Sequence, residues 1–273
     1  MTQALSPLSA PPLAAPPLVV RPPANQDDAL RLHQRARLLE LRYGRLDGAA
    51  LLDAGVNEIF PGRIAVVSSF GTESAVLLDL VAQVNPATPV IFLETGKHFP
   101  ETLAYRDRLI EKLGLTDVRS VPPADNDLAW ADGDGTLWRR NPDLCCQLRK
   151  VLPLERALSG FSAWINGRKR FQGGQRGQLG LFEAAGSRIK GNPLATWETK
   201  DLARAFADRD LPRHPLGVQG YPSVGCAPCT SRVEGATGSG AGSRAGRWSG
   251  SDKIECGIHR APLRPLGSAK GLR

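Results

Sequence analysis

The chain has 273 residues, a net charge of +8 and five cysteines. That length buries a sizeable core, so stability does not require disulfides. The charge points to an anionic partner, but aromatics make up only 6% of residues and no dense Lys/Arg run interleaves with them, which weighs against nucleic acid.

Residues 1–26 are rich in Pro and Ala, with Pro pairs at 11–12, 16–17 and 22–23, and read as a disordered tail. The first basic residue, Arg21, follows the apolar part, unlike a secretory signal, and no segment is long enough to span a bilayer. The expected location is the cytoplasm, with no membrane partner. Cysteines there are kept reduced and are poor disulfide candidates.

Residues 27–52 carry Leu30, Ala36, Leu39 and Leu41 at near-helical intervals and predict an amphipathic helix. Apolar runs at 64–68, 90–94 and 118–121 alternate with helical patterns at 73–84 and 100–113. This βαβαβ order predicts an α/β fold, a parallel twisted sheet flanked by helices. Residues 124–143, rich in Asp, Gly and Asn, read as a surface connection. A helix over 143–158, a buried strand over 163–167 and a helix over 199–210 follow. Residues 235–250 are dominated by Gly, Ser and Ala and read as a mobile loop. Three parts are expected: the tail 1–26, an α/β domain over 27–233, and a mobile C-terminal segment over 234–273 that carries Cys256.

The first strand runs into Ser68, Ser69, Phe70, Gly71, Thr72, Glu73 and Ser74 and then a helix, so backbone N–H groups face the end of the sheet. That arrangement suits a phosphate or sulfate; the alternative is an ordinary turn whose Ser and Thr cap the helix. The G-x-x-x-x-G-K-S/T and G-x-G-x-x-G patterns are absent. The loop Glu94-Thr95-Gly96-Lys97 closes the second strand at the edge where ligands of open α/β sheets bind. Together these stretches, with Phe99-Pro100-Glu101-Thr102, resemble the adenine-nucleotide α-hydrolase-like superfamily, and within it the phosphoadenylyl-sulfate and adenylyl-sulfate reductases.

Cys145-Cys146 and Cys226-x-x-Cys229 supply four thiolates, the number a 4Fe-4S cube requires. Adjacent helical residues point about 100° apart, which suits a bulky cluster better than a tetrahedral ion. A structural zinc site, a redox dithiol at 226/229 and unrelated buried thiols are the alternatives. The blocks Cys145-Cys146-Gln147-Leu148-Arg149-Lys150, Tyr221-Pro222 with Gly225-Cys226 and Pro228-Cys229-Thr230, Arg244 with Arg247-Trp248, and Glu255-Cys256-Gly257 with His259 resemble the assimilatory adenylyl-sulfate reductases over residues 63–259.

The resemblance implies that Cys256 attacks the sulfur of adenylyl sulfate and forms S-sulfocysteine, which thioredoxin or glutaredoxin then discharges as sulfite. It also implies that Lys150, Arg244 and Arg247 hold the phosphosulfate, with Arg168 and Arg170 next in line. His259 either tunes the thiol or lies in a solvated tail; Glu255 beside a thiol is a poor base. Glu94 stands where the family usually has Asp, Arg168-Lys169-Arg170-Phe171-Gln172 departs from the commoner Arg-x-x-Gln-Ser, and Gly191 replaces a usual Val. A 3′-phosphoadenylyl-sulfate reductase, an ATP-dependent tRNA-thiolating enzyme and a non-catalytic cluster carrier are the competing readings. The sequence leaves assembly into a homo-oligomer open.

Overall fold

The computed structural model describes residues 26–234, 244–249 and 253–259. The sequence expectations for residues 1–25 and for most of the Gly/Ser-rich loop lie outside that range. Among the described residues no helix is long and apolar enough to cross a membrane.

Six strands form one sheet in which, numbered along the chain, the third, second, first, fourth, sixth and fifth lie side by side. Strands β1 (Ile64–Ser68) and β2 (Val90–Leu93) are buried at every position, as expected for central strands covered on both faces. Strand β3 (Val118–Val121) lies at the edge and exposes Arg119 and Ser120. Helix α3 (Ser74–Val84) connects β1 to β2, and α4 (Pro100–Leu113) connects β2 to β3. Both strand pairings are parallel, so the βαβαβ expectation holds. Pro100 starts α4, and Gly114 ends it in the left-handed conformation at φ 63°.

On the other side of β1 lies β4 (Ala163–Ile165), also parallel; beyond it come β6 (Arg188–Gly191) and the antiparallel edge strand β5 (Phe182–Ala185). The sequence reading did not anticipate this last hairpin, because 182–191 has no clean alternation of apolar residues. The chain leaves β1 toward β2 on one side while β4 flanks it on the other. The crevice beyond the carboxyl ends of β1 and β4 is therefore the switch point where open α/β sheets bind ligands.

Side chains alternate between the two faces of the sheet. Ile64, Val66 and Phe92 join Leu78, Leu109 and Leu194 in the larger core layer, whereas Ala65, Val67, Ile91 and Trp164 pack against Leu154 and Leu158.

Three expectations change. The helix expected over 27–52 is interrupted at residues 44–47, giving α1 (Gln26–Tyr43) and α2 (Gly48–Asp53), with a π turn from Ala54 to Ile59. The 124–143 connection contains α5 (Asp125–Ala131) and α6 (Leu137–Arg140), anchored by buried Asp132 and Leu137. The helix expected over 143–158 divides into α7 (Pro142–Cys146), a π turn (Gln147–Val151) and α8 (Leu152–Ala157). Pro153 has no N–H to give the Arg149 carbonyl, which favours a widened turn just before it. The last helix, α9 (Thr199–Asp208), lies where expected and is secured by Asp201 Oδ2, which accepts from the Glu198 N–H at 2.8 Å.

Candidate functional site

An open cavity of about 1140 Å³, counting its mouth, occupies the switch point. Its floor is the loop after β1, with Ser68, Ser69, Gly71, Thr72, Glu73 and Ser74, and one wall is Asn166 to Lys169 after β4. Lys150, Gly225, Cys226, Arg244, Arg247, Trp248, Glu255, Cys256 and His259 are also part of the lining. Residues as far apart in the chain as Val67 and His259 meet there, so the sheet edge and the C-terminal segment make one site.

The described parts of the C-terminal segment are docked. Ser231 N–H donates to the Gly246 carbonyl at 2.8 Å and Trp248 N–H to the Cys229 carbonyl at 3.0 Å. Trp248 is buried, with Arg247 4.5 Å and Arg244 5.2 Å from its ring centre. The Arg247 Nε is buried without a hydrogen-bond partner among the described residues, a donor ready for an anion. Burial lowers the Arg244 guanidinium to about 10, still cationic at neutral pH.

The cysteines form two groups. Cys145 lies near Cys226 and Cys229: burial first, and then those two sulfurs, push its thiol up to about 11. Burial and Cys226 likewise raise Cys229. The Thr95 hydroxyl lies 3.4 Å from Cys226 Sγ. Cys146 instead faces Cys256: their mutual interaction raises Cys146 and, against burial, lowers Cys256 well below an ordinary thiol, with help from Lys150, the Ile258 N–H and Arg247. Lys150 lies among these sulfurs: burial opposes its charge, but Cys226, Cys256 and Cys146 outweigh that and raise its pKa.

Behind Cys145, buried Arg149 donates through Nε and Nη2 to Asp132 Oδ2 at 3.1 and 2.5 Å and through Nη1 to the Thr95 carbonyl at 2.6 Å. Among the described residues no three His, Cys, Asp or Glu side chains are placed to hold one metal ion. Cys145, Cys226 and Cys229, with Cys146 next in the chain to Cys145, are a soft-donor set whose chemistry would fit an iron–sulfur group.

Four residues expected at the site face elsewhere. Phe70 is fully buried and meets Phe92 edge-on at 5.5 Å between centroids, so it belongs to the core. Thr95 turns toward Cys226, and Gly96 packs near Arg149, neither lining the cavity. Arg170 is exposed and donates to the Leu179 carbonyl at 2.8 Å. Arg168 does line the cavity, tied to Asn166 Oδ1 at 3.1 Å and paired with Glu183.

His259 is not in a solvated tail. It stacks on Trp164 at 6.0 Å, and burial, followed by Arg168, Arg176, Lys190 and Arg244, holds it neutral. The sequence reading met Lys169 and Gln172 only as part of a departing motif and missed Arg176, which lies in a Gly/Gln-rich stretch with no periodicity to mark it.

The sheet order and the cavity at its switch point define an adenine-nucleotide α-hydrolase-like fold. The phosphoadenosine phosphosulfate reductase domain model matches residues 63–232, and the chain belongs to that family. The adenosine 5′-phosphosulfate reductase of Mesorhizobium japonicum is 46% identical over 229 residues, covering 84% of this chain and 89% of its own. That of Mycobacterium tuberculosis is 43% identical, covering 68% and 72%. The phosphoadenosine 5′-phosphosulfate reductase of Gloeobacter violaceus is 43% identical, covering 73% and 83%. The phosphate complex of phosphoadenylyl-sulfate reductase from Candida auris superposes with TM-score 0.61 at 26% identity, covering 73% of this chain and 97% of that one.

Proposed function

We propose that this enzyme reduces adenylyl sulfate to sulfite and AMP through an S-sulfocysteine on Cys256, in cytoplasmic sulfate assimilation for cysteine biosynthesis. The observation that carries the reading is that Cys256 lines the same cavity as the β1 loop, together with Lys150, Arg244 and Arg247. The β1 loop and the α3 N-terminus receive the nucleotide phosphate. Lys150, Arg244 and Arg247 neutralise the phosphosulfate oxygens as charge shifts onto the leaving group. The Cys256 thiolate forms a bond to sulfur while the S–O bond breaks, and AMP leaves with the electron pair. A thioredoxin or glutaredoxin thiolate then attacks Cys256 Sγ, sulfite leaves, and the second thiol of the reductant resolves the mixed disulfide.

Cys145, Cys146, Cys226 and Cys229 are assigned to a 4Fe-4S cluster. When bound, the cluster supplies a fixed charge beside the phosphosulfate site. Lys150 lines the cavity near Cys226 and Cys146 and keeps its proton. With Cys146 held by the cluster, Lys150, the Ile258 N–H and Arg247 would remain to favour the Cys256 thiolate.

The second reading, a 3′-phosphoadenylyl-sulfate reductase, is favoured by the names of the Gloeobacter and Candida relatives. Against it, Arg168, Lys169 and Arg176 along the cavity wall each already face a carboxylate: Glu183, Glu73 and Glu255. No cation among these three is left for an additional phosphate. Mass spectrometry after mixing with adenylyl sulfate without reductant tests the proposal, with a sulfonate expected on Cys256 and none in C256S. A wild-type protein that stays unmodified would overturn it. Faster sulfite release from the 3′-phosphorylated nucleotide would favour the second reading.

A further inference from the structure

Glu255 precedes the nucleophile and is buried, although it has no part in the displacement. Its carboxylate meets Arg176 through two bonds, Nε to Oε2 at 2.7 Å and Nη2 to Oε1 at 2.8 Å. Both side chains are more than nine-tenths buried, at 8% and 7% exposure. The same Oε1 accepts the Cys256 N–H at 3.0 Å and Arg244 Nη2 at 3.1 Å. One carboxylate thus fixes the nucleophile's own backbone to the cavity wall.

Arg176 is itself held. Its Nη1 donates to Gln172, whose Nε2 donates to Glu73 Oε2 at 3.0 Å, and Lys169 Nζ reaches the same oxygen at 2.7 Å. A continuous hydrogen-bonded chain therefore runs from the loop after β1 to the backbone of residue 256.

We propose that Arg176 and Glu255 are positioning residues that latch Cys256 into the cavity for sulfonation and must part for its reduction; this rests on the reaction proposed above. During sulfonation the thiolate needs a fixed approach line to sulfur, which the latch supplies. During discharge a thiolate carried on a folded dithiol protein must reach Cys256 Sγ, which lies in the lining of the cavity. A protein of that size reaches it only when residues 253–259 move outward, and the Arg176–Glu255 pair opposes that movement. Removing Arg176 leaves Glu255 with Arg244 as its one remaining cation, and removing Glu255 leaves Arg176 and Arg244 without their shared carboxylate, so either single substitution loosens the segment.

The test uses the full chain. In R176A, iodoacetamide alkylation of Cys256 without nucleotide, read on the peptide containing it, rises several-fold over wild type. Single-turnover sulfonation at saturating adenylyl sulfate falls about tenfold, while thioredoxin-driven discharge of preformed S-sulfocysteine is not slowed. E255Q moves all three readouts the same way, and the double variant adds little to either single one. Wild-type alkylation rates in folded R176A overturn the latch. If R176A does not fold, R176K keeps the charge without the two-pronged contact, and wild-type alkylation in that variant overturns the latch equally. Alkylation requires no nucleotide, so a wild-type chain that never acquires a sulfonate brings down the reaction and leaves this test intact.

Discussion

Cys146 and Cys256 face each other closely enough that their interaction pushes the Cys146 thiol up and the Cys256 thiol down, so the residue assigned to iron bears directly on the residue assigned to catalysis. Iron on Cys146 would take it out of that interaction. Protein stripped of iron by a chelator and then treated with a mild oxidant is expected to form a Cys146–Cys256 disulfide, seen by peptide mapping. Loaded protein treated identically should not. A stripped protein that links neither residue to the other would show that the two sulfurs do not meet in solution.

Arg247 lies across Gly225 so closely that a Cβ at 225 would collide with the guanidinium Nη2 and Cζ. G225A is therefore expected to push Arg247 out of the cavity. One charge-assisted contact to the nucleotide is lost, worth about 1.5–3 kcal/mol, so the dissociation constant rises roughly ten- to a hundredfold by calorimetry. Unchanged affinity in G225A would remove Arg247 from the binding site.

Phe70 sits at φ 48°, in a region bulky side chains rarely adopt, and is held there by complete burial against Phe92. F70A should lose about 3–5 kcal/mol of stability in urea unfolding. F70L should recover much of that loss and keep nucleotide affinity. If F70L folds stably but fails to bind nucleotide, Phe70 is a ligand contact after all.

Stability should also depend on pH through His214, buried beneath α4. Its Nδ1 accepts the Leu216 N–H at 3.2 Å, so Nε2 carries the proton and meets Thr102 Oγ1 at 3.1 Å. Burial lowers its pKa to about 4. Below the ordinary value of about 6.5 the unfolded chain binds a proton that the folded chain refuses. Stability from this group is complete above that value and is lost as pH falls toward 4, by at most about 3 kcal/mol. Urea midpoints measured between pH 7 and 4.5 should decline in wild type and decline less in H214N. Parallel curves for the two proteins would assign the pH dependence to other groups.

The alternation of apolar runs and helical patterns was sufficient to read the parallel core of β1, β2 and β3, because central strands buried on both faces need continuous apolar sequence. The β5–β6 hairpin was not legible. Glu183 and Lys190 in it are charged, and they are held inward by Arg168, Asn192 and each other.

The sequence alone determined the two cysteine pairs, 145–146 and 226–229, and the loop after β1, since adjacent residues and short turns carry their geometry in local order. Only the tertiary structure decided which cations face the cavity. Arg168 and Arg170 are two residues apart, yet the first lines the cavity and the second points out to Leu179. Tertiary structure also paired Arg176 with Glu255, 79 residues along the chain. Such pairings arise from packing between distant segments, and no local pattern encodes them.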